Sequence, residues 1–228
     1  MRIYSALYDQ PYPFDKWYPE SEFVHLSVGE EPWDSDGFLV LHGGSDIHPA
    51  LYGRKDVLKE TYRNGFGASP AIRDIEEKRM ADWAIEHKMP IFGICRGAQM
   101  LCILAGGVLV QHVTGHTGAD HAIKTIDGKV LFANSLHHQM LYPWKTKHEL
   151  LAWAHPARSN CYMGLSDEEI TKIPHIEGTS HVEPEAVWFP EIRGLGVQGH
   201  PEFLRISDVY ADYCKSLIDE YVLHNSIS

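Results

Sequence analysis

A cysteine between two glycines is the strongest chemical signal in this sequence. Residues 93–97 read Gly-Ile-Cys-Arg-Gly, a G-x-C-x-G pattern with an apolar run before it and a helical pattern after it. A nucleophile on such a strand-to-helix turn has a strained backbone, and its neighbours must lack bulk so that strand and helix can approach. The positive end of the helix favours a thiolate. We therefore predict that Cys95 is a nucleophile, whereas Cys102 and Cys214 fit inert, buried cysteines.

A cysteine nucleophile needs a histidine to move protons, and that histidine needs an acceptor to orient it. Fifteen histidines are present, but His200 and Glu202 stand two positions apart directly after an apolar run, where both side chains project to the same side. The carboxylate would fix the imidazole tautomer while the other ring nitrogen faces Cys95. A turn with a solvated glutamate would give the same tripeptide, so this alternative stays open.

A third strand end carries two adjacent glycines, Gly43 and Gly44. Glycine lets the backbone approach a ligand closely and point an amide inward, which suits an oxyanion donor, and the amide of Arg96 would supply a second donor. A plain turn explains the glycines as well. It does not explain why three such segments follow strands, at the edge where open α/β sheets bind ligands.

The elements that position these residues alternate between strands and helices in the first half of the chain. Strands are predicted at residues 3–8, 38–41, 91–94 and 108–110. Ser69 and Pro70 would open a long helix that ends before Pro90, and a second helix covers residues 97–105. On the long helix, the periodicity places one apolar face at Ile72, Ile75, Met80, Trp83 and Ala84.

The second half is richer in strand patterns. A hairpin is predicted from residues 122–126 and 130–133, and a returning pair from 185–189 and 194–198. An amphipathic helix opened by residues 207–208 follows, with core-facing tyrosines. Residues 158–183 fit a lid, a small subdomain or a loop equally well. We predict one domain, residues 1–228, with an α/β three-layer fold and a mixed, mostly parallel sheet between helices.

Composition excludes several classes of function. The chain has 228 residues, 20 basic and 31 acidic side chains and a net charge of −11, so a nucleic-acid partner is not expected. No apolar run reaches the eighteen or so residues of a membrane span, and the first residues do not resemble a signal peptide. The four cysteines lack C-x-x-C spacing, so reduced thiols and a cytoplasmic location are predicted.

Together these segments resemble the class I glutamine amidotransferase superfamily, and within it the γ-glutamyl-γ-aminobutyrate hydrolase-like branch. The resemblance spans most of the chain and rests on five blocks in order: GGSDIHP at 43–49 with LYG at 51–53, then Arg73, Asp74 and Glu77, FGICRGAQ at 92–99, NSLHHQ at 134–139, and GVQGHPE at 196–202.

The resemblance implies roles for individual residues. Cys95 would be the nucleophile, His200 the general base and acid, and Glu202 its orienting partner. The amides of Gly44 and Arg96 would form the oxyanion hole. The γ-glutamyl group would be held by Gln99, Ser135 and Leu136. The acidic and basic residues of the long helix would be structural. The implied fold is flavodoxin-like, and the implied reaction needs no cofactor.

Two departures from the family pattern affect the expected substrate. Position 199 is glycine where relatives carry a bulky residue, which predicts a wider or more mobile floor beside His200. The chain is also short for a hydrolase of this branch, which predicts trimmed loops and a more open site.

The expected function is hydrolysis of γ-glutamyl amide bonds in a small-molecule substrate, either glutamine or a γ-glutamyl amine. Whether the protein forms a homodimer is left open. The first alternative is a glutaminase subunit that supplies ammonia to a separate synthetase or nucleotide-modifying partner. The second is an inactive binding protein on the same fold. No metal is predicted: His112, His116 and His121 cluster in sequence and His137 adjoins His138, but the glycines at 115 and 118 exclude the i, i+4 geometry of a helical zinc site. These histidines are taken as polar loop or pocket residues, of which His138 or His137 would touch substrate.

Overall fold

The computed structural model describes residues 1–54, 71–118, 120–176 and 179–224. Within these ranges no helix has the length and apolar character needed to cross a membrane. The strands are β1 (Arg2–Ala6), β2 (Glu22–Leu26), β3 (Gly37–Leu41), β4 (Ile91–Ile94), β5 (Val108–Val110), β6 (His112–Val113), β7 (His121–Thr125), β8 (Val130–Ala133), β9 (Met140–Tyr142), β10 (Glu149–Ala154), β11 (Tyr162–Met163), β12 (Pro184–Phe189) and β13 (Gly194–Val197).

The helices are α1 (Phe14–Trp17), α2 (Ile72–Glu86), α3 (Arg96–Leu104), α4 (Asp167–Thr171) and α5 (Val209–Leu217), which continues as a π-helical segment (Ile218–Leu223). Short 3₁₀ turns lie at Pro49–Tyr52, Pro190–Ile192 and Pro201–Phe203.

Nine strands form one mixed sheet in the order β2-β1-β3-β4-β13-β12-β10-β7-β8. The five strands from β2 to β13 are parallel, and the remaining neighbours pair antiparallel. The carboxyl ends of β3, β4 and β13 therefore lie side by side at one edge. This is the edge at which open parallel sheets bind ligands.

Helices cover both faces of the sheet and create two cores. Alternate residues of β3 point to opposite faces: Leu39 and Leu41 pack with α2 and α3, while Phe38 and Val40 pack with α1 and α5. All four are fully buried, and each contributes about 2 kcal/mol of hydrophobic stabilisation. The predicted α/β fold with a mixed sheet between two helical layers is confirmed.

The buried face of α2 differs from the predicted one. Met80 and Ala84 are buried as expected, but Ile72 and Ile75 are 68% and 55% exposed. Asp74 and Glu77 occupy the buried face instead, because arginines from outside the apolar pattern neutralise them. The predicted cap, residues 69–70, lies outside the described residues.

The two predicted strand pairs of the second half are present, whereas strands β9, β10 and β11 were not predicted. β7 and β8 form the hairpin, β12 and β13 form the returning pair, and Asp208 caps α5 by accepting a hydrogen bond from the Tyr210 amide. Tyr210 is buried, whereas Tyr213 and Tyr221 are only partly buried. Their positions at the margin of the core let the Tyr213 hydroxyl reach the carbonyl oxygen of Leu151.

The described part of the segment 158–183 is packed against the domain. β11 pairs with β6, and the carboxylate of Glu183 accepts hydrogen bonds from the amides of Arg158 and Ser159 and from the hydroxyl of Tyr162. α4 begins with a capping box between Ser166 and Glu169.

Candidate active site

Cys95 lies on the turn between β4 and α3, with φ at 48° and ψ at −102°. This positive φ in a residue other than glycine is the strained geometry predicted for the turn. A Cβ atom on Gly93 would lie 2.5 Å from the carbonyl carbon of Gly97, and a Cβ on Gly97 would lie 2.0 Å from the carbonyl oxygen of Leu41. Both glycines are therefore required for the strand and helix to pack this closely.

His200 follows β13 and connects Cys95 to Glu202. Its Nδ1 atom donates to Oε1 of Glu202 over 2.7 Å, which leaves the other ring nitrogen, Nε2, available to interact with Cys95. Burial alone would lower the pKa of His200, but the hydrogen bonds and charges of Cys95 and Glu202 outweigh burial and raise that pKa to about 10. The three predicted catalytic residues are thus in contact.

Two further residues position His200, Asn134 through the His200 backbone and Phe203 through the His200 ring. The side-chain amide of Asn134 accepts a hydrogen bond from the His200 amide at 2.9 Å and donates one to the His200 carbonyl oxygen at 2.8 Å. The imidazole stacks on the ring of Phe203, with 4.9 Å between centroids and 8° between planes. Sequence analysis included Asn134 only as part of a motif and missed Phe203, because neither contact has a local signature.

Gly199 does not leave a wider floor beside His200. A Cβ atom at this position would lie 2.5 Å from the hydroxyl and 2.7 Å from Cε1 of Tyr210. The buried tyrosine of α5 thus fills the space that a bulky residue at position 199 would take. The expectation of an open floor is wrong.

Buried ion pairs hold the glycine pair and the start of α3 together. Arg96, 2% exposed, binds Asp74 and Glu77, and Glu77 also accepts from Arg73 at 2.7 Å. Arg73 then donates to the carbonyl oxygens of His42 and Gly43 at 3.0 and 2.9 Å. Arg73, Asp74 and Glu77 therefore pair with protein groups and not with the cavity, as expected if these α2 residues are structural.

Gly44 and Arg96 begin the two segments next to Cys95 whose amides were predicted to bind an oxyanion. Gly44 has a φ of 151°, and a Cβ atom there would lie 2.1 Å from Nη1 of Arg73. Only glycine fits this position. Arg96 is the first residue of α3, where backbone amides lack partners inside the helix.

Cys95 lies between two cavities of about 300 Å³ and about 290 Å³, which share Gly44 and Leu136. The first extends over Gln99, Thr117 and the segment 136–139, and the second over Tyr8, His42, His200 and Phe203. A substrate with its reactive carbon at the sulfur can therefore extend in two directions.

The predicted substrate residues divide into two groups. Gln99, Leu136 and His138 line the first cavity; His138 pairs with Asp46 at 2.9 Å, and Gln99 donates to the Gln139 carbonyl oxygen at 3.0 Å. Ser135 is outside the lining of both cavities. Its hydroxyl donates to the carbonyl oxygen of His116 at 2.5 Å, so it supports the loop from behind.

The second cavity contains a neutral histidine that sequence analysis did not identify. Burial, with a smaller contribution from the charge of Arg73, lowers the pKa of His42 to about 3. Nε2 of His42 lies 2.8 Å from the hydroxyl of Ser5, and the Tyr8 ring packs against the imidazole at 4.4 Å. This wall is uncharged and partly aromatic.

A group of buried histidines and glutamates lies next to the first cavity, and one of them, His137, lines it. His116, His121 and His137 surround Glu185, and each is at most 3% exposed. His116 and His121 are thus not the polar loop or pocket residues that were predicted. They stay in the interior because His116 pairs with Glu183, just before β12, and His121 pairs with Glu185 on β12. His116, His137 and Glu185 together have the donor atoms and spacing to hold a metal ion.

A family comparison agrees with this geometry. Residues 34–202, well over half of the chain and including all three strand-end segments, match the family described as Peptidase C26. The chain belongs to the Peptidase C26 family.

Curated relatives of this Peptidase C26 member are longer proteins. It is 40% identical over 83 residues to a protein of Schizosaccharomyces pombe provisionally named glutamine amidotransferase, with 36% of this chain and 30% of the relative covered. It is 43% identical over 103 residues to the carbamoyl phosphate synthase small chain of Xanthomonas campestris, with 45% and 21% covered. The matched part spans less than a third of either relative.

Solved structures share the fold at low sequence identity. A glutamine amidotransferase from Thermotoga maritima superimposes with a TM-score of 0.55 and 11% identity, and the match covers 100% of this chain and 86% of that one. The architecture of the Peptidase C26 member is therefore that of class I glutamine amidotransferases.

Proposed function

We propose that this Peptidase C26 member is a cysteine-dependent hydrolase of γ-glutamyl amide bonds and that residues 1–228 form one catalytic domain. The observation that supports this most is the contact of His200 with both Cys95 and Glu202, directly at two cavities on the carboxyl edge of the sheet. This arrangement has the nucleophile, base and orienting acceptor of acyl transfer in one place.

Acylation uses the Cys95 sulfur and the His200 imidazole. The imidazole takes the thiol proton, the sulfur attacks the γ-carbonyl carbon, and the amides of Gly44 and Arg96 stabilise the tetrahedral oxyanion. His200 then gives its proton to the nitrogen as the carbon–nitrogen bond breaks. The products of this half-reaction are a free amine and a glutamyl thioester on Cys95.

Deacylation reverses the role of the same histidine. His200 removes a proton from water, the hydroxide attacks the thioester carbonyl carbon, and the carbon–sulfur bond breaks. Glutamate leaves and Cys95 recovers its proton. The residues supply every proton transfer, so the proposed cycle uses no metal or organic cofactor.

The two cavities suggest how the substrate lies. We place the α-amino and α-carboxylate groups of the glutamyl part in the first cavity, where Gln99, Asp46 and His138 offer hydrogen-bond donors as well as acceptors. The leaving amine then extends into the second cavity along Tyr8 and Phe203. The uncharged His42 in this cavity favours a leaving amine with an apolar portion over ammonia alone.

A substrate panel tests this proposal. Purified protein is incubated with glutamine and with γ-glutamyl amines of increasing apolar length, and glutamate and ammonia are both measured. We expect glutamate from the γ-glutamyl amines without any partner, and none from the Cys95→Ala variant. Turnover retained in that variant, or no turnover of any γ-glutamyl compound, would contradict the assignment.

The second candidate is a glutaminase subunit that passes ammonia to a separate synthetase. The similarity to the carbamoyl phosphate synthase small chain favours it. In that case glutamine would be the preferred substrate in the same panel, and a partner would stimulate its hydrolysis. An inactive binding protein would bind γ-glutamyl compounds without releasing glutamate, and Cys95 would not react with a thiol-directed probe.

A further inference from the structure

Three side chains from separate parts of the chain meet at one buried point at the wall of the first cavity, which His137 lines. His116 precedes β7, His137 lies in the loop before β9, and Glu185 belongs to β12. Nδ1 of His116 lies 3.4 Å from Oε1 of Glu185, and Nε2 of His137 lies 3.8 Å from the same oxygen. The three donor atoms all lie within 4.8 Å of one another.

The outer hydrogen bonds determine which ring nitrogens face this point as lone pairs. Nε2 of His116 lies 2.9 Å from a carboxylate oxygen of Glu183, and Nδ1 of His137 lies 2.9 Å from the Gln139 carbonyl oxygen. Both oxygens can only accept while Glu183 is ionised, so these ring nitrogens carry the protons. When both rings are neutral, Nδ1 of His116 and Nε2 of His137 are then lone pairs directed at a carboxylate.

Such an arrangement is unfavourable unless a cation lies between the three groups. Neither of the two inner nitrogens makes a well-aligned hydrogen bond within the described residues, although both are buried. Glu183 and Glu185 add two negative charges in the interior. Glu183 pairs with His116, and Glu185 pairs with His121. One divalent cation would accept the lone pairs of both nitrogens and balance the negative charge of the two carboxylates.

We propose that His116 Nδ1, His137 Nε2 and Glu185 Oε1 bind a divalent metal ion of the zinc class. Two imidazoles and one carboxylate are ligands that zinc accepts. Zinc–ligand bonds of about 2.0 Å in a tetrahedron separate the ligand atoms by about 3.3 Å. The separations from Glu185 Oε1 exceed that spacing by about 0.1 Å for His116 and about 0.5 Å for His137, and the two nitrogens lie within 4.8 Å of each other.

The contacts around the site also have the form of a metal centre. Metal-binding histidines donate their second nitrogen to a carboxylate or a backbone carbonyl, which is what His116 and His137 do. His121 bonds the Glu185 oxygen at 2.7 Å and orients that ligand. Sequence analysis predicted no metal because the helical i, i+4 pattern is interrupted, whereas these three ligands come together only through tertiary structure.

The ion would connect the wall of the first cavity to the sheet. Thr117 and Leu136, which line that cavity, are neighbours of the two histidine ligands and form a β-bridge with each other. A metal bound to His116, His137 and Glu185 would fix both loops to β12. It would not touch the reacting carbonyl, so its role differs from that of Cys95 and His200.

Metal content tests the proposal independently of catalysis. Protein from zinc-supplemented medium, freed of any affinity tag, is dialysed and analysed by inductively coupled plasma mass spectrometry. We expect about one zinc per chain in the wild type and a loss of at least tenfold in His137→Gln and Glu185→Gln. His25→Gln, which removes an exposed histidine on β2, is the matched control and should keep the metal.

Two further measurements make the outcome decisive. The Cys95→Ala variant should bind zinc as the wild type does, because the sulfur is not a ligand; this result would hold even if the proposed hydrolysis were wrong. Cobalt reconstitution of the wild type should give the visible absorption of a tetrahedral ion, and His137→Gln should not. A folded wild type that excludes zinc and cobalt in excess would overturn the proposal and leave a proton as the shared cation.

Discussion

The Nδ1 atom of His200 lies 2.7 Å from Oε1 of Glu202, so the orienting carboxylate comes from two residues further along the same turn. The 3₁₀ turn at Pro201–Phe203 makes this contact local and stiff. Cys95, by contrast, comes from a strand more than one hundred positions earlier. The imidazole is therefore oriented by its own turn before the sheet brings it to the sulfur.

Replacement of the nucleophile should separate chemistry from folding. Cys95→Ala removes the sulfur but no ion pair of the structure, and we expect γ-glutamyl hydrolysis to fall by at least about 10⁴-fold. The thermal midpoint should stay within a few degrees of the wild type. Steady-state glutamate release and circular dichroism check both parts, and Cys102→Ala serves as the control that should retain activity.

The pH dependence of activity should follow the raised pKa of His200. Protonated His200 stabilises the folded protein. This contribution is complete below the ordinary histidine pKa of about 6.5 and is lost as the pH rises towards 10. We expect kcat/KM to fall on the alkaline side as the imidazolium is lost. A His200 signal that titrates near 6.5 in nuclear magnetic resonance spectra would contradict this.

Removing the charge of Glu202 should lower the pKa of His200. Glu202→Gln keeps the size of the side chain but removes the charge, so the pKa of His200 should move down towards its ordinary value. We expect kcat/KM to fall roughly 10³-fold, since the imidazole loses its orienting acceptor. The shifted alkaline limb distinguishes this positioning role from mere loss of packing, which would leave the pH profile unchanged.

The buried carboxylate of Glu77 should be important for stability. It receives both Arg73 and Arg96 and is fully buried. Glu77→Gln leaves two cations with one carboxylate, Asp74, and should lower the free energy of unfolding by about 3–5 kcal/mol. Urea unfolding measures this value, and Glu86→Gln, at the exposed end of α2, should change it by less than about 0.5 kcal/mol.

Contact between Gly199 and Tyr210 can be measured with a double-mutant cycle. Gly199→Ala should destabilise the protein by about 1–3 kcal/mol, because its Cβ atom would overlap the tyrosine. Tyr210→Phe removes the nearest atom and should recover part of that loss in the double variant. Additive effects in thermal unfolding would show that the two residues do not interact.

The sequence predicted the elements whose signals are local. The strand before Cys95, the glycines beside it and the hairpin at Asp127-Gly128 are each encoded within a few residues, and all appear in the structure. The same holds for His200 and Glu202. Their contact depends on a spacing of two residues and on nothing more distant.

Features that depend on distant partners were not predicted. The apolar pattern of α2 suggested that Ile72 faces the core, but the buried face carries Asp74 because Arg96 reaches it from twenty-two positions away. Strand β10 was missed for a related reason. It is a central strand held by hydrogen bonds to β12 and β7, and this pairing exists only once the sheet has formed. Glu185 was predicted in a strand but not as a partner of three histidines.

The anchoring of α4 should depend on pH through Glu169. This residue is buried and accepts from Arg54 and Lys145, each at 2.5 Å, and from the Ser166 amide. Burial alone would raise the pKa of Glu169, but these three groups outweigh burial and lower the pKa to about 2. The ionised carboxylate therefore stabilises the fold above pH 4.5, and this contribution is lost as the pH falls towards 2.

Glu169→Gln should accordingly lower the free energy of unfolding by about 2 kcal/mol at pH 7. The difference from the wild type should shrink as the pH falls from 4.5 towards 2, because Glu169 then takes up a proton in the unfolded chain while it is still ionised in the folded one. Glu168→Gln is the matched control, since Glu168 lies next to Glu169 but is exposed and pairs only with Lys172 among the described cations. Urea unfolding at several pH values measures both variants. A difference that stays constant with pH would show that the ion pairs of Glu169 contribute nothing and that only the shape of its side chain matters.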